Sequence, residues 1–347
     1  MFVPVVDQKN QPLMPTSPAR ARRWIETGKA TPFWKRGVFC VRLNVEPSAR
    51  ETQTIAVGID PGSKREGYTV KSEAHTYLNL HVEARTGVKE AVEARRNMRR
   101  ARRFRKTPCR KNRLNRSRGG LPPSTKARWQ WKLRLAGWLA RMFPIVRFVV
   151  EDIAAVTKKG QRRWNKSFSP LEVGKKWFYR ELARVARVST KKGHETKEMR
   201  DACGLKKTSK KLEETFDAHC VDSWVLANSF TGGHNKPDNV EILCVAPLAL
   251  RRRQLHLMQP AKGGERRRHG GTRSLGLQRG SIVKHPKHGI TFVGGTLGDR
   301  VSLHALDTGK RLTQKAKPAD CRVRSHNSWR TWTPEISKKT ERGSSPT

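Results

Sequence analysis

Acidic side chains are the scarce class in this chain: 29 Asp and Glu stand against 74 Lys and Arg, which leaves a formal net charge of +45 over 347 residues. A surplus of that size suits a polyanion and few other soluble partners. Long apolar runs are also missing. The most hydrophobic stretches, 145–150 and 55–59, are strand-sized, whereas a membrane-crossing helix takes roughly 20 apolar residues, so no membrane partner is expected. The opening MFVPVVDQKNQPLMP lacks the basic and then apolar order of an export signal, which points to an intracellular, cytoplasmic protein. The six cysteines (Cys40, Cys109, Cys203, Cys220, Cys244 and Cys321) stand far apart with no CxxC pair. Their spacing excludes a zinc ribbon or finger and leaves free, buried thiols. Hydrophobic residues at 35% and aromatics at 7% suffice for one sizeable core or two smaller ones, with part of the chain ordering only around its partner.

What is present begins with a readable segment. Val3 to Val6 predicts a strand, Asp7 to Asn10 a turn, and Pro12-Leu13-Met14-Pro15 an extended clip, because the residue before a proline is pushed out of the helical region. Ser17 as N-cap and Pro18 at the first helical position predict a helix over Ala19 to Thr27, stopped by Gly28. It carries Arg20, Arg22 and Arg23, a phosphate-facing row or simply a solvated one. Strands are predicted at Val38 to Leu43, Ile55 to Asp60, Gly67 to Val70 and Tyr77 to Glu83. A hairpin-rich start of this kind points to an α/β, RNase H-like sheet and away from a dinucleotide fold, which requires GxGxxG leading into a helix.

From Lys89 the texture changes. Residues 94–118 hold thirteen Arg and Lys and no acid. Arg95, Arg96, Arg99, Arg100 and Arg103 lie near one helical stripe, with only Ala94, Met98 and Ala101 as a thin apolar line. The pattern predicts a helix clamped by a polyanion, or else a disordered basic linker, ending at Pro108. Ser124 to Phe143 reads as an amphipathic helix and Ile145 to Val150 as a buried strand running into Glu151 and Asp152. Beyond it lie some sixty mostly polar residues, read as a connector with one helix over Lys175 to Val188. A further helix is predicted over Leu212 to Asn228. The last third reads as a separate unit. It has a strand at Ile242 to Cys244, a basic and Gly-rich stretch, and short strands at Ser281 to Lys284, Gly289 to Gly294, Val301 to Leu306 and Lys310 to Thr313, which form a small β module.

Four side chains can be placed together: Asp60 and Glu151, each ending an apolar strand, and His219 and Asp222, three apart on one helix face. Three carboxylates at one point repel unless a cation lies between them. An oxygen-rich set calls for Mg²⁺ or Mn²⁺, and paired ions serve phosphodiester hydrolysis. His219 is either a metal ligand or a proton carrier. Each signal is weak alone; a strand ending in Asp is common, and Glu151 could equally cap a helix or pair with an arginine. In a chain this poor in acids their joint placement is less easily accidental.

The sequence resembles the IsrB group, the short relatives within the IscB family of transposon-encoded, RNA-guided nucleases related to CRISPR type II effectors. The resemblance rests on Pro12-Leu13-Met14-Pro15 as the PLMP motif, Gly58-Ile59-Asp60-Pro61-Gly62 as the first RuvC motif and 89–106 as the arginine-rich bridge helix. Phe148-Val149-Val150-Glu151 stands as the second RuvC motif and His219-Cys220-Val221-Asp222 as the third. It implies a RuvC domain split in sequence, with Asp60, Glu151, His219 and Asp222 as catalytic residues that hold two Mg²⁺ ions, replaceable by Mn²⁺. The implied organisation is a PLMP domain at 1–50, RuvC segments at 51–88, 121–156 and 209–235, and the bridge helix and linker at 89–120. A connector at 157–208 replaces an HNH domain, an RNA-contacting and target-adjacent-motif module occupies 236–333, and 334–347 is a tail.

The implied partners are an omega RNA guide and target double-stranded DNA, held as an RNA–DNA heteroduplex by a protein monomer within a ribonucleoprotein located at the nucleoid when DNA-bound. Nucleic-acid contacts are expected from Arg20, Arg22, Arg23, Arg95, Arg96, Arg99, Arg100, Arg102, Arg103, Arg105, Lys106 and Arg110. Further ones are expected from Arg251, Arg252, Arg253, Arg266, Arg267 and Arg268. Residues 153–216 show no ββα-metal pattern and His194 stands isolated, so the resemblance implies nicking of the displaced, non-target strand only. The lack of a four-cysteine ribbon argues against the TnpB relatives. Two other readings stay open: a guide-independent RuvC or RNase H-like nuclease using the same site, and a non-catalytic RNA-binding protein.

Overall fold

The computed structural model describes residues 2–104, 121, 123–155, 169–248, 273–327 and 329–334. Strands β1 (Val3–Val6), β2 (Pro12–Thr16), β3 (Ala30–Lys35) and β4 (Val38–Leu43), with helix α1 (Pro18–Glu26), make a small N-terminal unit whose sheet order is β2-β1-β4-β3. Helix α1 starts as its sequence dictates, with the Ser17 hydroxyl accepting from the Arg20 amide and Pro18 in the first turn. Gly28, at φ +70°, follows its end. Strand β3 was not anticipated; its burial alternates irregularly, and what holds it is pairing with β4 from Ala30–Leu43 to Lys35–Val38.

The main sheet has seven strands. β5 (Ile55–Asp60), β6 (Arg65–Lys71) and β7 (Thr76–Glu83) form an antiparallel meander, and β8 (Ile145–Asp152) then lies parallel to β5, with β9 (Arg187–Lys192) parallel to β8. β10 (Ile242–Pro247) joins the far edge parallel to β7, and β18 (Trp329–Trp332) closes it, giving β18-β10-β7-β6-β5-β8-β9. An antiparallel three-strand meander whose first strand is followed on its outer side by two strands parallel to it is the RNase H-like order. The fold is therefore α/β and RNase H-like, split in sequence, with a separate β module near the C-terminus.

Helices cover both faces. Alternation along β5 sends Ile55, Val57 and Ile59 to the main core, where they meet Trp131, Leu135, Trp138 and Leu139 of α3 (Pro123–Leu139) and Phe178 and Leu182 of α4 (Pro170–Leu182). The opposite side, carrying Gly58 and Asp60, receives the π-helical turn Phe216–Cys220 and helix α6 (Val221–Thr231). The C-terminal module holds β11 (Arg273–Ser274) and β12 (Leu277–Gln278), then five strands: β13 (Ile282–His285), β14 (Gly289–Leu297), β15 (Arg300–His304), β16 (Arg311–Ala316) and β17 (Arg322–Ser325). These five are ordered β16-β15-β14-β13-β17 around Val283, Val293, Val301 and Leu303.

Helix α2 (Val88–Phe104) is a different kind of element. Residues 90–101 are all exposed, and Val92, Met98 and Phe104 are apolar side chains left on the surface. The predicted basic helix exists, and burial of an apolar face does not account for it. Arg95, Arg96, Arg99, Arg100 and Arg103 stand in solvent along it, and Arg102 belongs to its backbone. Arg105, Lys106, Arg110, Arg251, Arg252, Arg253, Arg266, Arg267 and Arg268 lie outside the described residues, as does Cys109. The other five cysteines are free, four of them buried.

Three expectations need correction. The helix read over Lys175 to Val188 starts at Pro170, capped by Ser169, and ends at Leu182. Its expected last residue instead belongs to β9, because the β-branched run Val188-Ser189-Thr190 pairs with Phe148-Val149-Val150. The stretch 157–208, expected as a connector, thus supplies the sheet's edge strand and helix α5 (Gly193–Ala202). The helix expected from Leu212 begins only at Phe216, as a π turn. The strand at Ile242, assigned to the last unit, runs to Pro247 and belongs with β18 to the main sheet. Among the described residues no helix is long and apolar enough to cross a membrane.

Helix α6 can approach the sheet this closely because Gly58 and Gly67 carry no side chain. A Cβ on Gly58 would stand 1.8 Å from the Ser223 carbonyl oxygen, and one on Gly67 2.3 Å from that of His219. Both obstacles are backbone and cannot rotate away. Gly58→Ala should therefore lower unfolding stability by at least about 2 kcal/mol through overpacking, read by denaturant titration; a change within about 0.5 kcal/mol would mean that α6 does not sit this close.

Candidate metal centre

The register of the parallel pair β5 and β8 sets the first two carboxylates side by side. Ile59 pairs with Val150, so Asp60 and Glu151 follow as neighbours, and alternation turns both away from the core that holds Ile59 and Val150. Asp222 comes from the first turn of α6, which Gly58 and Gly67 let down onto the same face. One ligand oxygen from each of Asp60, Glu151 and Asp222 lies within 4.8 Å of the others. Asp60 and Asp222 are buried and Glu151 is half-buried. Gly193, opening α5, leaves room for the Glu151 carboxylate; a Cβ there would stand 2.9 Å from Oε1.

His219 sits in the π turn, with Nδ1 3.3 Å from Asp60 Oδ2 and Nε2 3.0 Å from the Lys211 carbonyl oxygen. A carbonyl only accepts, so Nε2 carries a proton and donates it to Lys211, and Nδ1 is the ring nitrogen turned toward Asp60. That orientation suits a metal ligand as well as a proton carrier. The His81 ring stands edge-on at 5.5 Å. Burial, then the nearby His219 and Arg65, push His81 down to about 4, so it is neutral at physiological pH.

Two cations enter the cluster. Arg200 on α5 donates from Nη1 to Asp222 Oδ1 at 2.6 Å, and the Lys207 ammonium is hydrogen-bonded to Asp222 Oδ2 and lies 3.4 Å from Asp60 Oδ2. Burial alone would raise the Asp60 pKa, but the His219 hydrogen bond and the Lys207 charge outweigh it and hold the group below its ordinary value. Glu151 goes the other way. Burial first, and then the charges of Asp60 and Asp222, push it up to about 7.

The structure thus brings together all four side chains anticipated from sequence. It adds Arg200 and Lys207, which were missed because nothing in a chain with 74 Lys and Arg marks two of them as special. The set fits a divalent cation. Its donors are carboxylate oxygens and one imidazole, its anions repel until compensated, and an ammonium group already lies between two of them. A neighbouring ion pair belongs to the support: Lys132 of α3 is hydrogen-bonded to the buried Glu66 and lies 3.3 Å from the Gly62 carbonyl oxygen, two residues after Asp60.

Fold and site together define an α/β, RNase H-like domain with an acidic cluster suited to a divalent metal. Residues 3–167, just under half of the chain, match the family model described as RRXRR protein; Arg99-Arg100-Ala101-Arg102-Arg103 fits the pattern that the description spells. A solved structure, T. thermophilus RuvC in complex with Holliday junction substrate, aligns at 13% identity with a TM-score of 0.29, covering 52% of this chain and 97% of that one. The fold assignment rests on the order of the sheet rather than on that likeness. No curated protein matches the chain.

The Glu151 shift fixes a sign. Its folded value near 7 lies above the ordinary 4.5, so the folded state binds this proton more tightly than the unfolded chain. Glu151 then favours folding at low pH, and that contribution fades as pH rises from about 4.5 through about 7. Metal uptake should release the same proton. Calorimetric Mn²⁺ titration at pH 6 in buffers of different ionisation enthalpy should show proton release that Glu151→Gln removes; equal heats in all buffers would contradict the raised Glu151 value.

Proposed function

We propose that this protein is a metal-dependent nuclease that hydrolyses a phosphodiester of one nucleic-acid strand at Asp60, Glu151, His219 and Asp222. The observation that carries the reading is the convergence of three carboxylates from β5, β8 and α6 within 4.8 Å, on a sheet of RNase H-like order in a chain of net charge +45. Asp60, Glu151 and Asp222 would hold the metal, as Mg²⁺ or Mn²⁺ and as a pair of ions. When bound, the metal supplies activation of the attacking water and stabilisation of the leaving oxygen. The chain's own contribution is positional. Arg200 holds Asp222, the Lys211 carbonyl orients His219, and the glycine contacts keep α6 against the sheet, so the donors are set before the strand arrives. His219 either completes the metal shell or moves a proton on the side of Asp60.

A finer reading extends this one: an omega RNA guide pairs with one strand of a DNA target beside a short target-adjacent motif, and the displaced non-target strand is nicked. Its supports are the order of the PLMP, RuvC and bridge-helix motifs along the sequence, and helix α2, whose arginines stand in solvent with almost no core beneath them. A guide-independent RuvC-like nuclease needs only the fold and the acidic cluster, which favour it as the more economical reading. A non-catalytic RNA-binding role leaves the cluster without a use.

The two nuclease readings separate in one experiment. The protein is expressed with its flanking noncoding DNA, the bound RNA is sequenced, and a matched supercoiled plasmid with randomised adjacent bases is offered with Mg²⁺. Guidance predicts an RNA-dependent single-strand nick; nicking that persists without RNA selects the guide-independent enzyme. In either case Asp60→Asn should lower strand cleavage by about a thousandfold while leaving nucleic-acid binding near the wild-type level. Undiminished cleavage by that variant would remove the site from the reaction.

A further inference from the structure

The segment between α5 and the π turn, residues 203–215, is irregular, and it passes over the carboxylates. Lys206, Lys210 and Lys211 on it are exposed, whereas Lys207 turns inward and its side chain is only 22% exposed. The oxygens of Asp222 are divided between two cations of different build. Oδ1 takes Arg200, whose planar group is fixed on a helix, and Oδ2 takes Lys207. The same ammonium reaches Asp60 Oδ2 at 3.4 Å, so one positive charge bridges the two carboxylates from β5 and α6.

We propose that Lys207 is a positioning residue that acts as the internal counter-ion of the triad in the metal-free protein and yields its place when a divalent cation binds. The inference rests on reading the triad as a metal site. Two oxygens that face one ammonium also face any cation bound between them, and an ammonium and a divalent ion in that space repel. Of the two basic residues, Lys207 is the one able to leave. It stands on an irregular segment, its flexible four-carbon stem ends in a strongly hydrated charge, and solvent is within reach. Arg200 has a helix behind it and keeps Asp222 oriented throughout. The arrangement stabilises the triad against its own repulsion and at the same time weakens metal affinity, because metal must displace a bonded cation.

The test is direct binding of Mn²⁺ to the full chain, followed by the electron paramagnetic resonance signal of the free ion, for the wild type, Lys207→Met, Lys207→Gln, Lys207→Arg and Asp60→Asn. Removing the ammonium should tighten Mn²⁺ binding by about tenfold or more, in Lys207→Met and, should that variant fold poorly, in Lys207→Gln. Lys207→Arg, which keeps the charge, should not show the gain. Without metal, Lys207→Met and Lys207→Gln should melt below the wild type, and Mn²⁺ should raise their melting temperature more than it raises that of the wild type. A merely structural lysine would lower stability and weaken metal binding together. Wild-type or weaker Mn²⁺ affinity in both uncharged variants, with binding abolished in Asp60→Asn, overturns the role of Lys207 alone. Binding that survives Asp60→Asn overturns the metal-site reading and this inference with it.

Discussion

The contact on which the site depends is the close approach of α6 to β5 and β6. Without side chains on Gly58 and Gly67, the backbone of Ser223 and His219 lies against the strands, and Asp222 comes within reach of Asp60. A helix resting at an ordinary distance on a side-chain layer would leave Asp222 too high to share a ligand with the strands. The π turn serves the same end. Entering α6 through Phe216–Cys220 turns His219 toward Asp60 while Phe216 and Cys220 pack with Trp224 and Val225 in a core of their own.

That geometry creates an electrostatic problem which the rest of the site answers. Three carboxylates in partial burial cannot all remain charged unaided. The molecule meets this in three ways: Arg200 and Lys207 supply positive charge, Glu151 is pushed up to about 7, and His219 Nδ1 lies 3.3 Å from Asp60 Oδ2. Of these, the Lys207 charge and the Glu151 proton are what a bound divalent cation would replace, while Arg200 stays on Asp222. The scarcity of acids in a chain of net charge +45 gives the cluster its contrast with basic surroundings.

Much of this was legible in the sequence because it lies in local patterns. Two apolar strands ending in Asp60 and Glu151 declare a site at their ends, Ser17-Pro18 declares a helix start, and turn residues mark the C-terminal strands. What escaped depends on partners distant in sequence. Strand β9 is weakly patterned and exists through its register with β8; β18 returns to the main sheet across more than eighty residues from β10. The π turn is a one-residue departure from helical spacing that no periodicity reveals. Lys207 and Arg200 carry no signal among so many basic residues, and their significance comes only from what they face.

The most direct test of the central claim is the location of metal by anomalous scattering from crystals of the protein grown with Mn²⁺. The account predicts an anomalous peak ligated by Asp60, Glu151 and Asp222, with the Lys207 ammonium withdrawn from between Asp60 and Asp222. No peak at the triad, with Lys207 still bridging the two carboxylates at saturating Mn²⁺, would contradict it.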